Sequence, residues 1–163
     1  MSRPLRRRWK LLRHRVNRTR QVGHRERLLL AEAIWALATA RFQLATQPFP
    51  RIARRLGGFV TPAKAREANA AQVASSDDRV TASKVGWAVT RAARHVPFGA
   101  VCLPQAMAAK TMLARRGIAS VMHFGTMRGE KLSLAAHAWL DAAGVEVTGY
   151  PVEASFTEIA CIR

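Results

Sequence analysis

The stretch Cys102-Leu-Pro-Gln-Ala-Met-Ala-Ala-Lys-Thr-Met-Leu-Ala-Arg-Arg-Gly117 decides the fold of this chain. Its Ala, Leu and Met content predicts a helix, with two arginines in the last turn and a glycine just beyond it. Cys102 therefore opens a helix, where free backbone N–H groups and the helix dipole favour the reactive thiolate form. This placement makes Cys102 a candidate nucleophile.

The second candidate is His137, in the run Ala136-His-Ala-Trp139. After Gly117 the sequence alternates apolar and small residues, which indicates strands. The predicted strands are Ile118 to Thr126, Leu132 to Asp141, Val145 to Tyr150, and Phe156 to Ile162. A thiol on a helix and an imidazole on a following strand are the two groups that cysteine catalysis needs. The alternative is structural: Cys102 as a small buried hydrophobe and His137 as a hydrogen-bonded strand residue.

The sequence upstream of Cys102 predicts helices. A long helix spans Glu26 to Thr46 and ends before Pro48, and a short second helix runs from about Phe49 to Gly57. Residues 62–78 have no strong apolar face and are either a weak helix or a linker. A further helix, capped by Asp77-Asp78, is expected over residues 79–95. Helices followed by strands predict an α+β domain with an antiparallel sheet, over residues 26–163: a helical part 26–117 and a sheet part 118–163.

The formal net charge of +17 is concentrated at the start of the chain. Residues 1–27 hold eleven Lys or Arg and one acid, so we assign residues 1–25 to a basic N-terminal arm. The arm has three interpretations: a solvated tail, a contact to an acidic partner or leader peptide, or a nonspecific nucleic-acid binder. It has one aromatic residue, Trp9, so no specific nucleic-acid partner is expected.

Cysteine usage and hydropathy favour a cytoplasmic protein. The chain has two cysteines and no evident export signal, which argues against a disulfide framework. Its longest apolar run, Leu28 to Ala40, is shorter than the ~20 residues of a membrane span. We therefore expect no membrane anchor.

Several motifs resemble the leader peptidase of lasso-peptide biosynthesis, the transglutaminase-like B protein. They are Ala-Arg-His95-Val-Pro97, Cys102-Leu with Ala106-Met-Ala-Ala downstream, Leu113-Ala-Arg-Arg-Gly-Ile118, Ala136-His-Ala-Trp139, the segment from Glu26 to Phe49, and Thr148-Gly149. The resemblance covers most of residues 25–162. It implies a papain-like or transglutaminase-like cysteine peptidase that removes the leader from a ribosomal precursor, before a cyclase closes the macrolactam.

The resemblance also implies roles for individual residues. Cys102 would be the nucleophile, His137 the general base and acid, and the Cys102 backbone N–H an oxyanion donor. Gln105 would either contribute to the oxyanion site or cap the helix. Trp139, on the same strand face as His137, would wall the site or belong to the core. Neither a metal nor an organic cofactor is required for this acyl-enzyme chemistry.

The third member of the triad is unassigned. Many members of the family place an Asp twelve residues after the His, where this chain has Gly149. With a turn at residues 142–144, His137 is expected opposite Gly149. Asp141 lies roughly 13 Å from His137 along the strand, and Glu153 would have to fold back. A backbone carbonyl or a water are the other candidates, so we expect a Cys–His dyad with an open orienting group.

The remaining histidines and the second cysteine lack a comparable motif. His95 ends a helix, His123 lies on a predicted strand, and Cys161 lies in an apolar strand. We expect all three to be structural, with Cys161 a buried thiol.

The resemblance further implies partners. Too few residues precede the first helix to hold a leader-recognition domain, so we expect a stand-alone peptidase that acts with a separate recognition protein and the cyclase. The alternatives are a transglutaminase-fold acyltransferase that uses the same pair, and a basic nucleic-acid-binding module in which the pair is incidental.

Overall fold

The computed structural model describes residues 23–70, 74–128 and 134–163, and most of the predicted basic arm lies outside them. The described helices are α1 His24–Thr46, α2 Phe49–Leu56, α3 Pro62–Ala70, α4 Ser76–Ala93 and α5 Cys102–Ala114. The strands are β1 Phe59–Val60, β2 Ser120–Arg128, β3 Leu134–Ala142, β4 Val145–Thr148 and β5 Thr157–Ile162. The described part of the chain is thus α+β, with helices first and strands after them, and the predicted fold class is confirmed.

All five described strands form one antiparallel sheet in the order β1-β5-β2-β3-β4. The central strand β2 pairs along its whole length with β3, from Ser120 opposite Ala142 to Arg128 opposite Leu134. β1 was not predicted, because its two residues are extended only where they pair with the end of β5. The sheet fixes the position of His137 near the start of β3.

The helical layer covers one face of this sheet. α5 packs against α1 and α4 on one side and against β2, β3 and β4 on the other. The core between the layers is built from apolar residues, among them Leu37, Val85, Met112, Leu113 and Leu140, all fully buried. Burial of α5 on both sides explains why its sequence is apolar all round and shows little amphipathic pattern.

The long helix α1 packs one side against this core. By length and composition alone, its 23 residues are long and apolar enough to cross a membrane. The helix is thus longer than the apolar run of Leu28 to Ala40 that was considered in the sequence. Ala33, Ala36, Leu37 and Ala40 are nevertheless buried against the other helices. Glu32 also pairs with Arg116 after α5, which fastens α1 to the domain.

Two helix boundaries refine the sequence analysis. α4 is capped by Ser75, whose hydroxyl accepts from the N–H of Asp78, and the Asp78 carboxylate accepts from the N–H of Ser75. The cap predicted at Asp77-Asp78 was therefore placed two residues late, because Asp78 is the far half of a capping box. α5 ends as predicted, with Gly117 at a φ of +70° just beyond the two arginines.

The hairpin from β3 to β4 differs from its predicted register. The turn consists of two residues, Ala143 and Gly144, both at positive φ, so Asp141 faces Glu146 and not Val145. One extra residue then follows in β4, since Leu140 pairs with Thr148. This β-bulge shifts the pairing of all β3 residues that precede Leu140. The expected backbone pairing of His137 with Gly149 was therefore wrong.

Candidate active site

Cys102 is the first residue of α5, as the sequence predicted. Val101 precedes the helix in an extended conformation and offers no side-chain cap, so the first N–H groups of α5 are left open. Cys102 is half-buried and packs against the helical core, as Phe98, Ala100 and Leu103 also do, and its thiol is not in a disulfide. This is a thiol at a helix N-terminus with partial access to solvent.

Gln105 braces the loop in front of this helix. Its side-chain Nε2 donates a hydrogen bond of 2.7 Å to the backbone carbonyl of Ala100. That contact ties the segment before Cys102 to the first turn of α5. This contact uses the amide as a donor and so does not cap the helix N–H groups, and both roles predicted for Gln105 stay predictions.

His137 lies on β3 and is held by a main-chain group. Its Nε2 is 2.6 Å from the backbone carbonyl oxygen of Gly149. A carbonyl oxygen only accepts, so Nε2 must carry the proton of this hydrogen bond. In the neutral ring Nδ1 is then unprotonated and free to accept a proton, which is the state that a general base needs.

Gly149 takes the place where an acidic side chain was expected, and its own carbonyl faces the imidazole. The residue has a φ of +84°, and a Cβ built on it would lie 2.6 Å from the oxygen of Ala138 and 2.8 Å from Cα of Trp139. No side chain fits there without moving backbone. In the described conformation the group in contact with His137 Nε2 is this main-chain carbonyl, and its role as the orienting group stays a prediction.

The two acidic candidates lie elsewhere. Asp141 accepts a hydrogen bond from the hydroxyl of Tyr150 and lies 3.4 Å from Nε2 of His123, so it serves a different histidine. Glu153 is exposed, and its backbone carbonyl accepts from Phe156 N–H. Neither carboxylate is hydrogen-bonded to His137 in the described residues.

Aromatic rings surround His137 and continue along the sheet. Trp139 stacks on His137 at 5.9 Å between ring centroids, and it also stacks on His123 at 5.5 Å. Phe156 lies 5.4 Å from the His137 ring. We call His123, Trp139, His137 and Phe156 the ring row. Trp139 is 8% exposed, so it is buried like a core residue, and it also packs against the imidazole ring of His137.

His137 does not point into the helical core against which Cys102 packs. Ala138, Leu140 and Ala142 point into the helical core, and Cys102 packs at the edge of that core. His137 and Trp139 alternate with them and share the other face with His123. Among the described residues no hydrogen bond joins Cys102 and His137, so their pairing stays a prediction.

The far face of the sheet holds a polar cluster that the sequence analysis had treated as structural. His123 Nδ1 is 2.5 Å from Oε1 of Glu158 and 3.5 Å from Sγ of Cys161, and the thiol lies 3.0 Å from the same carboxylate oxygen. Burial opposes the charge on His123, but the carboxylates of Asp141 and Glu158 outweigh it and raise the pKa of the imidazole. Burial and Glu158 raise the pKa of the Cys161 thiol to about 12.

Cys161 is fully buried, as predicted, and His95 is exposed just after α4. Sequence reasoning missed Phe156 and Glu158 as neighbours of histidines. Glu158 lies near the start of β5 and Phe156 directly before it, and the pairing of β5 with β2 brings this segment to the histidines.

Comparison with known proteins gives one match. A family model described as "Transglutaminase-like superfamily" matches residues 43–161, which include both Cys102 and His137. No curated protein and no solved structure matches the chain.

Proposed function

This chain belongs to the transglutaminase-like superfamily, and from that premise we propose that it is a cytoplasmic cysteine peptidase that removes the leader from a ribosomal lasso-peptide precursor. The superfamily consists typically of cysteine-dependent enzymes and includes peptidases and acyltransferases. The observation that carries the proposal is the 2.6 Å contact of His137 Nε2 with the Gly149 carbonyl, which assigns the ring proton to Nε2 and leaves Nδ1 as a base, in a chain whose Cys102 opens a helix.

In the proposed reaction Nδ1 of His137 takes the proton of the Cys102 thiol. The thiolate attacks the scissile carbonyl carbon, and the oxyanion that forms is stabilised by the N–H groups at the start of α5. The imidazolium then protonates the leaving amine, and the peptide C–N bond breaks to give a thioester. Water, deprotonated by the same imidazole, hydrolyses the thioester and restores the thiol.

The reaction requires the imidazole to approach the start of α5. His137 is the fourth residue of β3, close to the beginning of the strand, and its ring is half-buried. Catalytic contacts are often long or incomplete in the absence of substrate. We therefore propose that the precursor peptide, bound between the start of α5 and β3, draws the two groups together.

An orienting carbonyl differs from an orienting carboxylate in one respect. Both hold the tautomer and the direction of the ring, but the uncharged carbonyl stabilises the imidazolium less. The proposed enzyme thus relies on a Cys–His dyad with a main-chain partner. We expect low activity of the isolated chain for two reasons. The carbonyl stabilises the imidazolium less than a carboxylate would, and the proposed enzyme acts with a recognition protein and the cyclase.

The test is cleavage of a precursor peptide encoded beside this chain, incubated with the protein and the neighbouring recognition protein, and followed by mass spectrometry. We expect Cys102→Ala and His137→Ala each to lower the rate by at least ~10³-fold without changing the circular dichroism spectrum. His95→Ala is the matched control, because this exposed imidazole should leave cleavage unchanged. Full cleavage by the Cys102→Ala protein contradicts the proposal.

A second measurement addresses the pairing of the two groups. The rate of Cys102 alkylation by iodoacetamide at neutral pH reports thiolate formed by an adjacent imidazole. In a Cys161→Ser background, His137→Ala should slow this alkylation in the presence of the precursor, whereas His95→Ala should not. Equal rates for both variants would mean that the two groups never pair.

Two other activities are distinguished by the same assays. An acyltransferase would transfer the peptide acyl group to an added primary amine and not to water, so the product mass identifies it. A nucleic-acid-binding module would show salt-sensitive binding of oligonucleotides that survives Cys102→Ala.

A further inference from the structure

Three side chains with different donor atoms converge on the face of the sheet opposite α5. They are His123 on β2 and Glu158 and Cys161 on β5, and we call them the β5 cluster. One donor atom from each, a nitrogen, an oxygen and a sulfur, lies within 4.8 Å of the other two. His123 and Cys161 are buried, while the Glu158 side chain is 20% exposed, so the cluster opens to solvent on one side.

A β-bulge creates the cluster. Cys161 pairs directly with His123, so their side chains share a face. In an unbroken register Glu158 would point to the opposite face, because it lies three residues before Cys161. β5 carries one extra residue, Ile159, between the pairs Phe124–Ala160 and Gly125–Glu158, and this turns Glu158 onto the face of Cys161. The insertion leaves Ile159 itself 58% exposed.

The other ring nitrogen of His123 has a carboxylate behind it. Nε2 lies 3.4 Å from Oδ2 of Asp141, at ion-pair distance but without the alignment of a hydrogen bond. The hydroxyl of Tyr150 donates to Asp141 and holds it. A carboxylate behind the non-ligating nitrogen is the usual arrangement of a metal-bound histidine, because it fixes the tautomer and raises the basicity of the ligand.

The surroundings restrict the movement of the donors. Trp139 stacks on the His123 ring with an angle of 5° between the planes. Ala65 of α3 and Val121 pack around the buried thiol. The second oxygen of Glu158 lies 3.3 Å from a guanidinium nitrogen of Arg66, which anchors the carboxylate from the solvent side.

The donor separations fit a small tetrahedral cation. Tetrahedral zinc with ordinary bond lengths places its sulfur and nitrogen ligands about 3.6 Å apart and its nitrogen and oxygen ligands about 3.4 Å apart. The distance from Cys161 Sγ to His123 Nδ1 is 3.5 Å. The Glu158 oxygen is closer to both, at 2.5 Å and 3.0 Å, so it would have to withdraw by less than ~1 Å. Of the three side chains, Glu158 is the longest and the most exposed.

We propose that the β5 cluster is a zinc site, with His123 Nδ1, Glu158 and Cys161 Sγ as protein ligands and a water in the fourth position. Nitrogen, sulfur and oxygen donors in a tetrahedral set are those that Zn²⁺ prefers, and they disfavour Mg²⁺ and Ca²⁺. Binding would release the thiol proton to solvent and link β2 to β5. The site is separate from Cys102, and its metal has no part in the proposed peptidase reaction.

The experiment is a titration of the reduced, full-length, metal-free protein with Co²⁺, which replaces Zn²⁺ and absorbs light. We expect one equivalent to produce a thiolate-to-cobalt charge-transfer band and the visible bands of tetrahedral Co²⁺, and Zn²⁺ to displace both. Zn²⁺ should also raise the melting temperature of the protein.

Matched variants identify the ligands. Cys161→Ser should abolish the charge-transfer band, whereas Cys102→Ala, which removes the other thiol, should keep it. Glu158→Gln should weaken binding, whereas Glu153→Gln, an exposed acid of the neighbouring loop, should not. Asp141→Asn should lower the affinity by 10- to 100-fold while it preserves the spectrum.

Circular dichroism of each metal-free variant checks that it is folded. Absence of the charge-transfer band in the wild-type protein, its persistence in Cys161→Ser, or equal affinity of the Glu158→Gln and Glu153→Gln proteins would overturn the assignment. Leader cleavage is not a readout in any of these measurements, so a failed zinc site and a failed peptidase are separate results.

Discussion

Replacement of Gly149 by Ala is the sharpest perturbation of the candidate site, because it adds one methyl group at a place with no room for it. The Cβ would meet the oxygen of Ala138 at 2.6 Å, whereas ordinary contact begins at 3.4 Å, so backbone must shift by roughly 0.8 Å. A φ of +84° adds strain for any residue with a side chain. The carbonyl that holds His137 belongs to the residue that must move.

The magnitude follows from two contributions. Positive φ costs an alanine about 1–2 kcal/mol, and overpacking against rigid backbone costs typically 1–3 kcal/mol. Their sum of about 3 kcal/mol corresponds to a drop in melting temperature of roughly 6–12 °C for a domain of this size. A displacement near 1 Å at the orienting carbonyl should also lower the cleavage rate by about 100-fold at a temperature where the variant is folded.

Gly117→Ala is the matched control. Gly117 has a similar φ of +70°, but no atom lies within 4 Å of a Cβ built on it. It should lose about 1 kcal/mol, or ~2–4 °C, with unchanged cleavage. Differential scanning calorimetry of both variants gives the comparison. Melting temperatures that agree within ~2 °C would refute the steric part of the reasoning, and normal cleavage by Gly149→Ala would refute the orienting role of the carbonyl.

Two further predictions concern the stability of the domain. The buried ammonium of Lys110 donates to the carbonyl of Ser120, and burial, with some repulsion from Arg163, lowers its pKa from 10.5 to about 8. The unfolded state therefore binds the proton more tightly, so the free energy of unfolding should rise between about pH 8 and pH 10.5, by roughly 3 kcal/mol at most. Urea titrations should show this rise in the wild-type protein and not in Lys110→Met. An equal rise in the variant would contradict the prediction. Glu32 forms a bidentate ion pair with Arg116, and its hydrogen bonds lower the pKa of the Glu32 carboxyl. The pair therefore stabilises the folded state above the ordinary pKa of 4.5, and this stabilisation is lost as the pH falls below that value. Glu32→Gln should cost about 1 kcal/mol at pH 7 and nothing in strong acid, and a loss independent of pH would show that the charge is not responsible.

The sequence predicted the helices well, because Pro and Gly mark their ends. Pro48, Gly57 and Gly117 each lie within three residues of an observed helix end. Residues 62–70 form the helix α3, which the polar sequence left open between helix and linker. Their helical state rests on Ala65 packing against the sheet, a tertiary contact that composition does not record.

Strand positions were also predictable, but the pairing of side chains was not. Alternation locates a strand, whereas an inserted residue changes which face each side chain occupies and leaves no mark in the sequence. The bulge in β4 moved the predicted partner of His137, and the bulge at Ile159 brought Glu158 to His123. Cys102 at the start of α5 was predictable for the opposite reason, since helix ends depend on local residues.

The ring row gives this protein an optical property. Trp139 is buried and stacks on two imidazoles, whereas the other tryptophans of the described residues, Trp35 and Trp87, are 68% and 40% exposed. A buried indole emits at shorter wavelengths than exposed ones, and a protonated imidazole in contact with it quenches the emission. The blue edge of the fluorescence spectrum therefore reports on Trp139 and on the histidines that flank it, without any added label.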